Sequence, residues 1–177
     1  MSGETTRRPL EILLVEDSLT DAILTIETLK DGHIQHHLTL VRDAEVAMDF
    51  FYRRGKFADA PRPDLVLLDL HLSKLPGLDL LEKIKTDADL KQIPAVVMTG
   101  LMCEEDRRKC ELLDVAGYLA KPLALDKFVA LVRQLERLGH EDLILSSVER
   151  PKLPTKGTSQ DLVASTSYFS RAVSRNA

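Results

Sequence analysis

Acidic residues that close apolar runs are the groups in this chain best placed to do chemistry. The run Leu65-Val66-Leu67-Leu68 leads into the carboxylate of Asp69, and the run Ile12-Leu13-Leu14-Val15 leads into the pair Glu16-Asp17. Carboxylates held a few ångströms apart raise one another's pKa unless a cation neutralises them, so a cluster of three either keeps a proton or binds a metal. Hard oxygen ligands with no cysteine or histidine among them favour Mg²⁺ over Zn²⁺. Two further polar groups end apolar runs: Thr99, followed by Gly100, and Lys121, followed by Pro122. A hydroxyl and an ammonium beside a metal and a carboxylate can neutralise a phosphoryl group and stabilise the charge that develops as it transfers. Asp69, ionised at neutral pH, would then be the nucleophile. Taken alone, an aspartate that closes a strand is more often a cap for the following loop or helix.

The elements that must bring these groups together are legible in the hydrophobic pattern. Leu65 to Leu68 shows no polar alternation, which fits a strand covered on both faces in the middle of a parallel sheet. In open parallel α/β sheets functional groups sit outside the carboxyl ends of the strands, which is where Asp69 falls. Glu11 to Val15 reads as another such strand, and Ser18 then offers an N-cap with Asp21 as its capping-box partner. The helix that follows carries Leu19, Ala22, Ile23, Ile26 and Leu29 at helical spacing and closes at Gly32. His37 to Val41 predicts a short strand, and Asp43 caps a helix expected to bury Ala44, Ala47, Met48 and Phe51. After the Asp69 strand, Pro76-Gly77 opens a helix with Leu80, Leu81 and Ile84 inward. Ala95 to Met98 is the fourth strand, ending at Thr99-Gly100, and Glu104 to Asp114 is a helix with a thin apolar stripe. Gly117 to Ala120 is the fifth strand, and Leu125 to Leu138 a last helix burying Phe128, Leu131, Val132 and Leu135, its stripe widened by Val129.

Five strands alternating with five helices argue for a three-layer α/β sandwich around a parallel sheet. With right-handed crossovers the flavodoxin-like (βα)5 order 2-1-3-4-5 is expected. That order sets the first and third strands side by side, so Glu16, Asp17 and Asp69 converge on one crevice with Thr99 and Lys121 on its rim. The set Glu16-Asp17, Asp69, Thr99 and Lys121-Pro122, in that order on five βα units, resembles a receiver domain of the two-component response regulators. The resemblance covers about residues 10 to 138 and rests on four separate strand ends. Within that family, Pro61-Arg-Pro-Asp-Leu65 and Leu68-Asp-Leu-His-Leu-Ser73 are similar to the small single-domain regulators paired with phytochrome histidine kinases.

What the resemblance implies can be placed residue by residue. Asp69 would accept a phosphoryl group from a kinase phosphohistidine. Asp17, Asp69 and the backbone carbonyl of His71 would ligate Mg²⁺, with Glu16 acting directly or through water. Lys121 would pair with a phosphoryl oxygen, Thr99 would shift to hydrogen-bond the phosphoryl group, and Tyr118 would turn inward as the switch aromatic. The Lys121-Pro122 peptide is expected to be cis, which costs little before proline. Glu16 stands where aspartate is more usual in the family, a departure that bears on metal affinity, and the His71 side chain would tune hydrolysis of the acyl phosphate.

Composition narrows the function classes. The net charge of −4, 5% aromatic residues and absence of Trp give no sign of a nucleic-acid groove. No apolar run reaches the length needed to cross a bilayer, and Glu4, Arg7 and Arg8 interrupt the start of the chain, so a cytoplasmic protein is expected. Cys103 and Cys110 share a predicted helix at about 10 Å separation along its axis, too far for an unstrained disulfide, and read as reduced, partly buried thiols. His33, His36 and His37 read as a solvated turn rather than a metal cluster, and Arg53, Arg54 and Lys56 as the basic end of a helix. The expected division is an N-terminal extension over 1–9, the receiver over 10–139 and a tail over 140–177, either linker or dimer arm. The function expected is a phosphorylation-controlled switch acting through protein contacts, with a homodimer anticipated and no catalysis beyond its own phosphotransfer and dephosphorylation. Alternatives are a phosphorelay intermediate that passes the group to a histidine phosphotransfer protein, and a binding module indifferent to phosphate. A haloacid dehalogenase-like phosphatase is disfavoured, because the position two residues after Asp69 is His71 rather than a second aspartate.

Overall fold

The computed structural model describes residues 8–32 and 34–137 of the chain. Five strands, β1 (Leu10–Val15), β2 (His36–Val41), β3 (Leu65–Asp69), β4 (Ala95–Thr99) and β5 (Gly117–Ala120), alternate with helices. The helices are α1 (Leu19–Asp31), α2 (Ala44–Phe51), α3 (Gly77–Thr86), α4 (Glu104–Leu112) and α5 (Leu125–Arg137). All neighbouring strands are parallel, and the sheet order is β2-β1-β3-β4-β5, as the strand pattern predicts.

The unbroken apolar runs are explained by two separate cores. Successive strand side chains point to opposite faces. On one face Leu13, Val15, Val66 and Leu68 pack with Ala47 and Phe50 of α2, Leu80, Leu81 and Ile84 of α3, and Cys110 of α4. On the other, Ile12, Leu14, Leu65 and Leu67 pack with Ala22 and Leu29 of α1 and Phe128, Val132 and Leu135 of α5. Each fully buried aliphatic side chain contributes about 1.5–3 kcal/mol relative to exposure, so β1 and β3 are anchored from both sides. The register aligns Val15 with Leu68, Asp69 with Met98 and Thr99 with Ala120, and thereby fixes which strand-end residues meet.

Several local expectations need correction. In α1 the buried stripe is Ala22, Thr25 and Leu29, whereas Leu19 and Ile23 are 52% and 57% exposed. The helix is rotated so that Thr25, whose methyl group suits a core, replaces the more apolar neighbours, and Ile26 is half-buried. In α2 the deeply buried aromatic residue is Phe50, with Met48 and Phe51 only partly buried, because Ala44, Ala47 and Phe50 share the face turned to the sheet. Gly32 ends α1 with φ of −74°, so no left-handed conformation is required there. A side chain at Gly32 would instead overlap Leu125. α4 stops at Leu112, two residues before Asp114, which adopts a positive φ of 52°. In α5, Leu131 and Val129 are half-buried beside the inward Phe128, Val132 and Leu135.

Cys110 is buried, but Cys103 is exposed at the start of α4 and both are free thiols. His36 and His37 lie in β2 rather than in a turn, where the His36 ring pairs with the Ile34 carbonyl and His37 with Glu11. His33, the stop at Gly139, residues 1–7 of the extension expected over 1–9, and the tail expected over 140–177 lie outside the described residues. Among the described residues, no helix is long and apolar enough to cross a membrane.

Candidate functional site

The strand ends deliver the predicted groups to one crevice. β1 runs directly into Glu16 and Asp17, its neighbour β3 ends at Asp69, and Lys121 follows β5. Ligand atoms of Glu16, Asp17 and Asp69 all lie within 4.8 Å of one another. Lys121 closes the group: its Nζ lies 2.5 Å from Glu16 Oε2 and 2.7 Å from Asp69 Oδ2. It also donates to Asp21 Oδ2 at 3.0 Å. The peptide bond between Lys121 and Pro122 is cis, as expected.

Backbone amides hold each carboxylate. The Ser18 N–H donates to Glu16 Oε1 at 3.0 Å, that of Ser73 to Asp17 Oδ2 at 2.8 Å, and that of His71 to Asp69 Oδ1 at 2.9 Å. The Ser73 contact draws the loop after β3 against β1. Arg42 adds a bond to the Asp17 carbonyl at 2.9 Å, and Lys74 pairs with Asp43 at 3.0 Å on the same rim. Gly77 supports Asp69 from beneath: its N–H donates to the Leu70 carbonyl, and a Cβ there would overlap the Asp69 carbonyl and the Leu70 backbone.

Burial and charge shift the site's titrations in opposite directions. Glu16 is 1% exposed. Desolvation raises its carboxyl above the ordinary range, and the bonds from Lys121 and Ser18 only partly offset this. Asp17 is held below the ordinary range, chiefly by its hydrogen bonding to Ser73. Burial by itself would lower the Lys121 ammonium, but bonds to Asp69, Glu16 and Asp21 outweigh it and hold the group above its ordinary value.

The donor set fits a hard divalent cation. Glu16, Asp17 and Asp69 form the cluster, and Lys121, paired with Glu16, Asp69 and the neighbouring Asp21, supplies one positive charge among these four carboxylates. Oxygen ligands of this kind, with no thiolate or imidazole within the cluster, suit Mg²⁺ or Mn²⁺. The His71 ring stands outside the cluster, 60% exposed, with Nδ1 3.8 Å from Asp69 Oδ1 and beyond hydrogen-bond reach.

The rim residues are less tightly engaged. The Thr99 hydroxyl donates to the Leu101 carbonyl at 2.7 Å, within its own loop. Gly100 has open space around the position a Cβ would take, Leu101 is 86% exposed, and Tyr118 is partly exposed on β5. Two contributors escaped the sequence reading. Asp21 serves Lys121 instead of completing a capping box, since the Ser18 N–H it would have capped is taken by Glu16. Its position one helical turn after Asp17 was the available signal. Ser73 acts through its backbone, which no side-chain pattern reveals. A separate cleft of about 240 Å³ lies at the amino ends of β3 and β4, lined by residues including Tyr52, Pro63, Leu90 and Ile93, and shares no residue with this site.

Known proteins share this fold. The chain is 41% identical over 137 residues to response regulator Rcp1 of Synechocystis sp., covering 77% of this chain and 93% of that protein. Among solved structures, the Mn²⁺-bound form of Rcp1 aligns with a TM-score of 0.63 at 40% identity, over 78% of this chain and 100% of that one. The phosphorylated cyanobacterial phytochrome response regulator RcpA aligns with a TM-score of 0.64 at 36% identity, over 78% and 99%. The family model for the response regulator receiver domain matches residues 12–133, a span that holds every strand-end group described above. With fold, strand order and relatives in agreement, the chain belongs to the response regulator receiver domain family.

Proposed function

We propose that this receiver accepts a phosphoryl group on Asp69 from a phytochrome-type histidine kinase and signals by the conformational change that follows. The observation that carries the reading is the contact of Lys121 Nζ with Asp69 Oδ2 at 2.7 Å, between residues 52 positions apart in the chain. An ammonium beside a nearly buried carboxylate orients it for attack and offsets its charge. A carboxylate oxygen of Asp69 bonds to phosphorus as the P–N bond of the phosphohistidine breaks. The electron pair of that bond leaves with the imidazole nitrogen, and an acyl phosphate forms.

Mg²⁺, held by Glu16, Asp17, Asp69 and the backbone carbonyl of His71, would offset the charge that gathers on the phosphoryl oxygens. Lys121 pairs with one of those oxygens. Thr99 exchanges its bond to Leu101 for another, and Tyr118 turns inward behind it. The chain catalyses nothing beyond this self-phosphorylation and its reversal by water, and residues 10–139 form the unit that switches. Exposed Leu101 and Leu112, with Tyr118 on the adjoining strand, provide apolar surface for a second copy or a target. The phytochrome link is supported by the similarity to Rcp1 and RcpA.

The test is phosphoryl labelling of the wild type and Asp69→Asn from acetyl phosphate, with and without Mg²⁺, followed by transfer from purified histidine kinases of phytochrome and other types. Mg²⁺-dependent, base-labile label that disappears in Asp69→Asn is expected, with the fastest transfer from the phytochrome kinase. Label that persists in Asp69→Asn would overturn the acceptor assignment, and equal transfer from every kinase would overturn the partner.

A further inference from the structure

A lysine ammonium has three N–H donors, and in Lys121 all three are committed: to Glu16 Oε2 at 2.5 Å, Asp69 Oδ2 at 2.7 Å and Asp21 Oδ2 at 3.0 Å. Two of these acceptors have a second use. Glu16 and Asp69 belong to the three-carboxylate group whose ligand atoms lie within 4.8 Å, whereas Asp21 stands outside it. A cation that takes Glu16 and Asp69 as ligands therefore competes with Lys121 for two of its three partners and leaves the third. A lysine stem is flexible and its ammonium strongly hydrated, so without a remaining partner it would swing toward water.

Asp21 is well placed to prevent this. Its backbone N–H is fixed by Ser18 Oγ at 3.3 Å in the first turn of α1, and the next amide, Ala22, bonds to the Ser18 carbonyl at 3.0 Å. Its carboxylate takes no part in that cap, because Glu16 Oε1 accepts the Ser18 N–H. The side chain is 38% exposed, so it can be altered without opening the core.

We propose that Asp21 is a positioning residue for phosphotransfer, tethering the Lys121 ammonium over Asp69 when the metal-site carboxylates are otherwise engaged. Held by Asp21, Lys121 presents its freed hydrogens to the phosphoryl oxygens rather than to solvent. The inference deepens the reading of Asp69 as phosphoacceptor and rests on it.

The experiment compares the full-length wild type, Asp21→Ala and Asp21→Asn at saturating Mg²⁺, following the rate of labelling from acetyl phosphate. Mg²⁺ affinity of each protein is measured in parallel without the phosphodonor. Asp21→Ala is expected to label about tenfold more slowly, with Mg²⁺ affinity changed by no more than about threefold from the lost neighbouring charge. Asp21→Asn, whose carboxamide oxygen can accept the same bond, is expected to recover most of the rate. Wild-type labelling in Asp21→Ala would overturn the proposal. Equal slowing in Asn and Ala would overturn it too, since charge and not the tether would then matter, as would a slowing that tracks lost Mg²⁺ affinity. If Asp69→Asn labels like the wild type, the acceptor assignment itself fails, which separates that failure from a failure of the tether alone.

Discussion

The middle of the sheet and its α4–β5 flank are built to different standards. Around the carboxylates, Leu14, Val15, Leu67 and Leu68 are 0% exposed, and the neighbouring α3 buries Gly77, Leu80, Leu81 and Ile84. On the flank, Cys110 is the buried residue of the nine in α4, and Leu119 that of the four in β5. The outward face of α4 is instead laced by Lys109 to Glu105 and Arg107 to Glu111, exposed pairs of the kind that contribute little. Regions with few buried apolar contacts open at low cost, whereas densely packed ones do not. A rigid reaction centre beside a weakly held segment is what a two-state switch requires, because new bonds at the centre can then change the segment's arrangement.

Truncation inside each region should show the largest contrast. Leu68→Ala is expected to lose about 2–5 kcal/mol of stability in urea unfolding, and Leu112→Ala to stay within about 0.5 kcal/mol. Similar losses at both positions would remove the asymmetry. Adding one methyl group sharpens the comparison at the site itself. Gly77→Ala drives a Cβ into the Asp69 and Leu70 backbone, so it should cost about 1–3 kcal/mol and slow phosphoryl labelling. Gly100→Ala meets open space and should leave stability within about 0.5 kcal/mol.

Helix caps give the smaller effects. Asp43 caps α2 by accepting the Val46 N–H at 2.8 Å, and this bond is the main reason its carboxyl sits below the ordinary value. Asp43→Ala should cost about 1 kcal/mol near neutral pH. A carboxyl whose folded pKa is depressed stabilises above its unfolded value of 3.8 and loses that contribution as pH falls through the folded value. The gap between wild type and Asp43→Ala should therefore close on acidification through that window. α4 has the weaker cap, a Cys103 thiol accepting the Asp106 N–H at 3.4 Å. Cys103→Ser is expected to stabilise it by about 0.5 kcal/mol in thermal unfolding; destabilisation would mean the thiol has another role.

The same contrast governs what the sequence discloses. β1 and β3 announce themselves through unbroken apolar runs, and the strand order follows from alternation and crossover handedness, so the sequence alone brings Glu16, Asp17, Asp69 and Lys121 together. α1 is less legible, because its apolar residues span more than one face. Leu19 and Ile23 point to solvent while Thr25 is buried, a choice made by packing against the sheet rather than by hydrophobicity. Asp21 was masked for a related reason: a carboxylate three residues after Ser18 suits a capping box, and only the approach of β5 shows that Lys121 claims it. Ser73 and Gly77 act through backbone geometry, which side-chain chemistry does not encode.

The central claim is that phosphorylation at a fixed site rearranges the weakly held flank. It is tested most directly by amide hydrogen exchange on the full-length protein before and after phosphorylation with acetyl phosphate and Mg²⁺. The account predicts that changes in protection concentrate between Thr99 and Ala120, with the amides of β1 and α3 unchanged. Changes spread evenly over the sheet, or confined to α2 and α3, would contradict it.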